Sequence, residues 1–388
     1  MPRTEGHYIK KGGFSVKSNA FFDRLTVAAA ALLLASFSLS LCLLPKQDFS
    51  SKERRALAAF PVPSLSSLLD GRFFDGLSNF CADQFPLRPR FTALVSTVER
   101  AFGKQENNGI LFGADGYLIA RGEYDDLTVA QSNLAAIDTL AKNTQCPITI
   151  AILPRAVDVL TPYLPRTYEG TRADKLGTLV CEQLPSNTDL TADLRAAAEA
   201  GEAIFYRTDH HWTSAGAYLG YTQLAPSLGI EVYAPEHFTP TPVCDTFLGT
   251  SFARSGLWST TPDAITLYRY KGDENYTVTC DGKIATFGLY DMDAVSGDDP
   301  YAVFLGGNYA RVTVTGEAAR ETLLIFKDSF ANSLVPFLAL HFDLVLVDPR
   351  YETRGAQAIL DEISPDRVLI LLGADTVATT PAVGRIGR

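Results

Sequence analysis

Residues 322–348 read TLLIFKDSFANSLVPFLALHFDLVLVD. Two short apolar runs, TLLIF (322–326) and FDLVLVD (342–348), flank ANSLVPFLAL, which has helical length and period. A third run, RVLILL (367–372), follows a second helical stretch, TRGAQAILDEI. Runs this short and this apolar suit strands buried on both faces, and their alternation with helices predicts βαβ units and a mostly parallel sheet. Upstream, a helical stretch at 127–142 precedes PITIAILP (147–154), another buried strand, and AIFY (203–206) and YAVFLGG (301–307) are expected to add strands. GILFGADGYLIARG (109–122) reads as two short strands around a Gly-Ala-Asp-Gly turn. Residues 235–300 are rich in turns and have no clean period, so they are read as an insertion over the sheet.

The wider chain sets this α/β region behind a membrane segment. With 46% hydrophobic and 20% charged residues, the composition excludes a mainly disordered chain. A net charge of -10 argues against nucleic acid as a partner. Residues 1–24 run against that balance, with five bases (Arg3, Lys10, Lys11, Lys17, Arg24) and two acids (Glu5, Asp23). Leu25–Pro45 carries no charge and has about the ~20 residues a bilayer-crossing helix needs. The basic flank puts residues 1–24 in the cytoplasm and the rest outside. A cleaved signal peptide is the rival reading, but Leu41-Cys42-Leu43-Leu44-Pro45 is poor for cleavage. The expected organisation is a tail (1–24), an anchor (25–45), a juxtamembrane segment (46–105) with two amphipathic helices broken at Pro86, and an α/β domain (106–388). Cys81, Cys146, Cys181, Cys244 and Cys280 are odd in number and lack metal-ligand spacing. Free, buried thiols are expected, with one Cys244–Cys280 bridge as the alternative.

Bases able to work near neutral pH are few, since histidine occurs only at His7, His210, His211, His237 and His341. In Tyr206-Arg-Thr-Asp-His-His-Trp212, strand alternation would put Asp209 and His211 on one face and turn His210 away. A carboxylate beside an imidazole is the base-and-orienter half of a hydrolase triad; a hydrogen-bonded structural pair is the plainer alternative. Adjacent histidines make a poor metal site, and neither metal nor cofactor is expected. Ser329 follows the strand TLLIF and would open a helix over 330–340, whose N-terminus favours a developing oxyanion. Ser251, in the Gly-rich LGTSFARSG, ranks second as a nucleophile, and Ser333 lies one turn further in. Gly307 and Asn308 could form an oxyanion hole or a plain turn. Arg350 could bind an anionic or sugar substrate or pair with an acid, and His341 reads as structural.

FYRTDHHWTSAGAYLGY, YAVFLGGNYA and IFKDSFANSLVPFLALHFDLVLVDPRY together resemble the DHHW family of bacterial envelope proteins. That family is similar to the alginate O-acetyltransferase group, which has an SGNH-hydrolase-like domain. KERRALAAFP, DQFPLR and GADGYLIARG match the lead-in of that group, so the likeness runs from about residue 50 to 355. The resemblance implies a three-layer α/β/α fold and a triad of Asp209, His211 and Ser329, in permuted order relative to ordinary SGNH hydrolases. Two positions depart from the relatives: His210 stands where they have Thr, and Lys327-Asp328 where they have Gly-Thr or Gly-Asp. The implied activity is O-acetylation of a cell-envelope polysaccharide, with a membrane-bound O-acyltransferase partner supplying acetyl groups. The same residues would serve a deacetylase, and a catalytically silent glycan-binding protein could keep the fold.

Overall fold

The apolar runs 148–153, 322–327, 343–347 and 367–373 are all strands of one sheet. In the computed structural model, which describes residues 20–50, 55–122, 124–168 and 175–388, they belong to a seven-stranded sheet. Its strands are β1 (Ile148–Leu153), β2 (Thr277–Cys280), β3 (Lys283–Ile284), β4 (Arg311–Thr315), β5 (Thr322–Lys327), β6 (Asp343–Val347) and β7 (Arg367–Gly373). Their order is β3-β2-β4-β6-β5-β7-β1. Alternation along β5 sends Leu323 and Ile325 into one apolar core and Leu324 and Phe326 into the other. The first core includes Leu224 of the helix Ser214–Leu228, and the second includes Ile137 of Thr128–Asn143 and Ile359 of Ala356–Ile363. The result is the expected three-layer arrangement of helices on both faces of a sheet.

The sheet is not mostly parallel, contrary to expectation. β1, β7, β5 and β6 pair in parallel, while β6–β4, β4–β2 and β2–β3 are antiparallel. The smaller sheets, 49–56, 106–120 and 239–269, are antiparallel throughout. The difference lies in burial. RVTVT (311–315) alternates buried and partly exposed residues, as a one-sided antiparallel strand does, so it lacks the apolar signature of a parallel one.

Neither AIFY nor YAVFLGG forms a strand. Residues 204–213 close on themselves instead, with Tyr206 N–H donating to His211 O (3.1 Å) and Thr213 N–H to Ile204 O (2.9 Å). With those backbone groups satisfied locally, only an isolated bridge joins Phe205 to Trp212. Tyr301 lies in a 3₁₀ turn, Pro300–Val303, followed by left-handed backbone at Leu305, Gly306 and Gly307.

The described residues divide into two compact units, 20–50 with 55–88, and 89–388. The first contains the helix Ala20–Leu43, whose segment Phe22–Leu43 has mean hydropathy 2.1 and is long and apolar enough to cross a membrane. A signal sequence near an N-terminus has the same character. The tail residues 1–19 lie outside the described residues. All six cysteines are free; Cys280 is buried, which pushes its thiol up to about 11, whereas Cys42 and Cys181 are exposed.

Candidate active site

The serine sits where the chain leaves the middle of the sheet. β5 lies between β6 and β7, and its last residue, Lys327, pairs with Leu371 of β7. Asp328 then fixes the turn: one carboxylate oxygen accepts Phe330 N–H (3.1 Å), the other Gly373 N–H at the end of β7 (2.8 Å). The following segment is not the long helix expected. It is a 3₁₀ turn, Ser329–Ser333, and then a short α-turn, Val335–Leu338. The Asp328 cap begins this tight turn, and Pro336 sits near the start of the α-turn. So short a segment offers no long helix dipole to a developing oxyanion.

Across from the serine stands an arm with no strand in it. Asp209 Oδ1 accepts the backbone N–H of His211 (3.0 Å) and lies 2.6 Å from its Nδ1. His211 Nε2 lies 2.7 Å from Ser329 Oγ. Asp209 and His211 thus meet through a side-chain turn rather than through strand alternation. For the same reason His210 is not turned away: its ring centroid is 3.8 Å from that of His211, and its Nδ1 is 2.6 Å from Thr250 Oγ1.

Three contacts position the arm. Asp209 Oδ2 accepts Thr250 N–H (2.7 Å) and Thr250 Oγ1–H (2.9 Å). The Trp212 indole donates to Phe330 O (3.0 Å) and Ser333 Oγ (2.9 Å), tying the arm to the serine turn. The Tyr301 ring stacks on His211 at 4.0 Å and 7°. Its hydroxyl donates to Ser329 O (3.3 Å). Gly249 is required by close approach, since any side chain there would collide with the Asp209 carboxylate.

The electrostatics favour an ionised orienter. Burial alone would raise the Asp209 carboxyl, but His210, His211 and the Thr250 N–H outweigh it and hold it well below the usual carboxylate range. Burial, with His211 beside it, pushes the His210 imidazole below its ordinary value. Asp209, His210 and His211 offer atoms within 4.8 Å of one another, a spacing a metal could use and closer than their adjacency in sequence suggests. In this arrangement their mutual bonds and those to Ser329 and Thr250 already engage the imidazole nitrogens His211 Nδ1, His211 Nε2 and His210 Nδ1.

The remaining candidates divide. Gly307 and Asn308 are drawn to the serine turn by Asn332, whose amide donates to Gly307 O (3.2 Å) and lies 3.5 Å from Asn308 Oδ1. Buried Lys327 donates to Asn332 Oδ1 (2.8 Å) and Asn308 Oδ1 (3.4 Å), and burial lowers its ammonium to about 8. Arg350 pairs with the buried Asp348 through Nε (2.9 Å) and Nη2 (2.6 Å). Ser251 is buried in the helix Thr250–Ser255, and His211 is bonded to Ser329 instead. His341 is bonded to Tyr221 OH (2.8 Å) within an aromatic cluster. Sequence reading missed Thr250, although it adjoins Ser251 in a Gly-rich loop already singled out, and it missed Tyr301, which carries no motif.

Ser329, at the turn that leaves β5, thus meets Asp209 and His211 of the strandless arm beside a sheet with helices on both faces, and part of the chain is similar to an SGNH-hydrolase-like domain. More particularly, residues 192–348 match the family described as DHHW protein, and residues 107–243 match the SGNH hydrolase-like domain, acetyltransferase AlgX. A probable alginate O-acetylase AlgJ of Pseudomonas syringae pv. tomato is 24% identical over 186 residues, 45% of this chain and 47% of that protein. Its Pseudomonas putida counterpart is 26% identical over 183 residues, 44% and 47% of the two chains. The chain thus spans about half the length of the curated relatives it matches. Among solved structures, a DHHW family protein from Eubacterium siraeum superposes with TM-score 0.61 at 24% identity, over 72% of this chain and 95% of that one. Bacillus cereus PatB1, carrying a sulfonyl adduct, gives 0.58 at 20%, over 70% and 97%. These likenesses establish the fold.

Proposed function

We propose that the protein transfers acetyl groups to a cell-envelope polysaccharide from the outer side of a membrane to which the helix Ala20–Leu43 anchors it. The observation that carries the reading is the continuous chain of hydrogen bonds from Asp209 through His211 to Ser329. Ser329 Oγ attacks the carbonyl carbon of an acetyl donor as His211 Nε2 takes its proton. The tetrahedral intermediate collapses, and His211 returns the proton to the departing oxygen, leaving an acetyl ester on Ser329. A sugar hydroxyl then attacks that ester as His211 takes its proton, and as the intermediate collapses His211 returns the proton to Ser329 Oγ, which releases the acetylated sugar and restores the hydroxyl. Asp209 holds the imidazole tautomer and stabilises the imidazolium. The Ser329 N–H, Gly307 and Asn308 are the candidate oxyanion donors. The similarity to probable alginate O-acetylases supports a polysaccharide acceptor, and a membrane-bound O-acyltransferase would deliver acetyl across the bilayer.

The test is incubation of the protein with a chromogenic acetyl ester, with and without oligosaccharide acceptors. Acetylated sugar is the expected product; acetate alone would make the protein a deacetylase. A serine-directed sulfonyl fluoride should label Ser329, and His211→Ala should erase the labelling. Absence of labelling in the folded wild type would leave a silent glycan-binding role.

A further inference from the structure

Within the first compact unit, the chain that follows the apolar helix Ala20–Leu43 turns back onto it. The Phe85 ring stacks on Phe37, with centroids 4.7 Å apart and planes at 27°. Phe37 lies six residues before Leu43, so at ~1.5 Å per residue the contact is about 9 Å inside the end of that helix. Beside it, Gln84 Oε1 accepts the Gln47 N–H (3.2 Å) and Gln84 Nε2 donates to Gln47 O (2.8 Å). Lys46 Nζ, just past the apolar run, is 5.8 Å from the centre of the Phe80 ring.

The same unit leaves much apolar surface in the open. Between residues 60 and 74, six large apolar side chains are exposed: Phe60, Val62, Leu65, Leu68, Leu69 and Phe74. A capping box between Ser64 and Ser67 starts the short helix Leu65–Leu69, which puts Leu65 and Leu69 on one face, 76% and 81% exposed. Ring contacts make the surface continuous with the helix end. Phe74 packs edge-on against Phe73, Phe73 against Phe60, and Phe60 against the Phe80 that meets Lys46. Polar groups here are turned on one another: Asp83 accepts Arg55 Nη1–H (2.9 Å) and Ala58 N–H (2.8 Å). Single exposed leucines need no explanation, but a joined group of this size marks an interaction surface.

The Phe37–Phe85 stack says what covers it. The 22 residues Phe22–Leu43 match the ~30 Å hydrocarbon layer of a bilayer. Phe37 then lies inside that layer, and Phe85 with it. A surface that starts at Phe80 and Lys46 starts at the layer's edge. We propose that residues 60–74, together with Phe85, form a collar seated in the lipid on the side where the chain emerges, an inference that rests on reading Ala20–Leu43 as an uncleaved anchor. The chain then leaves the bilayer through a folded, lipid-covered base and not through a free tether.

The test uses the full-length protein in vesicles of phosphatidylethanolamine and phosphatidylglycerol, doped with a phospholipid whose acyl chain carries a photoreactive diazirine. After irradiation, mass spectrometry maps the lipid adducts. They are expected on the span 22–43 and on residues 60–74, and not on the buried strands β5 and β7. Leu65→Asp combined with Leu69→Gln should cut the yield on 60–74 by roughly tenfold and leave that on the span unchanged. Both leucines are exposed, and an unchanged thermal midpoint reports that the variant is folded. Adducts on the span alone would overturn the collar, leave the anchor and give the surface to a protein partner. Adducts on 60–74 that ignore the double substitution would overturn it too. A recovered chain that has lost residues 22–43 but still carries adducts on 60–74 would sink the anchor and leave the lipid surface; adducts on neither would sink both.

Discussion

The two halves of the candidate site are held in different ways. The serine turn leaves a strand hydrogen-bonded on both sides, and Asp328 clamps it to β7. The Asp209–Trp212 arm has a single bridge and depends on side chains, chiefly Thr250, Asp263 and Trp212. Ladder hydrogen bonds position Ser329 with little regard to side-chain identity. His211 relies on a handful of polar contacts reached across long stretches of sequence. The arm is therefore the half that single substitutions should disable.

The largest expected effects come from removing either half. Ser329→Ala and His211→Ala should each lower acyl transfer by about 10³-fold or more, and the double variant should be little worse, because the groups act as a unit. Steady-state kinetics decide this, and losses that multiply would mean that the two halves work independently.

Next is the orienter. Thr250→Ala removes the hydroxyl bonded to Asp209 Oδ2 and His210 Nδ1 but keeps the backbone N–H. About a tenfold fall in kcat is expected, with KM little changed, since ~1.4 kcal/mol is one modest hydrogen bond. Arg350→Gln, on the serine side, is the matched control. A larger loss there than at Thr250 would invert the comparison.

Stability should show the same asymmetry. Asp263→Ala leaves two backbone N–H groups without their acceptor and the buried Thr208 hydroxyl with only the longer bond to Phe247 O (3.3 Å). A loss of about 3 kcal/mol by urea unfolding is expected, at ~1–3 kcal/mol per unsatisfied group. A loss below 1 kcal/mol would show that the arm does not need its side-chain scaffold.

The smallest effect concerns pH and the buried cation under the serine turn. Lys327 titrates near 8 in the fold, against ~10.4 in an unfolded chain. Between those values the unfolded chain holds more protons, so this group makes stability rise with pH, and its full penalty is felt below about 8. Wild type should therefore gain on Lys327→Met as pH climbs from 8 to 10. A flat difference would place the charge outside the reach of desolvation.

Legibility in the sequence follows the same division. β5, β6, β7 and β1 could be read because burial on both faces leaves runs without alternation, and Ser329 came with the end of β5. The antiparallel half was hidden, since TVTC and RVTVT show to solvent what a parallel strand would bury. Asp209 and His211 were found through a period that the arm does not have, and the same false period misdirected His210. Thr250 and Tyr301 act at long range from unremarkable surroundings, and local pattern has no access to such contacts.

The strand order also bears on when the site can exist. β5 is central, yet both of its neighbours, β6 and β7, come later in the chain, and β1 joins the sheet through β7 alone. A polypeptide emerging from its amino end would expose Asp209 and His211 long before the strand bearing Ser329 has anything to pair with. A chain stopped before Arg367 should show no sulfonyl labelling, whereas labelling of such a fragment would disprove the dependence. Ordering of Ser329 therefore has to follow synthesis of β7, and a chain that stops short of it carries Asp209 and His211 without their hydroxyl partner in place.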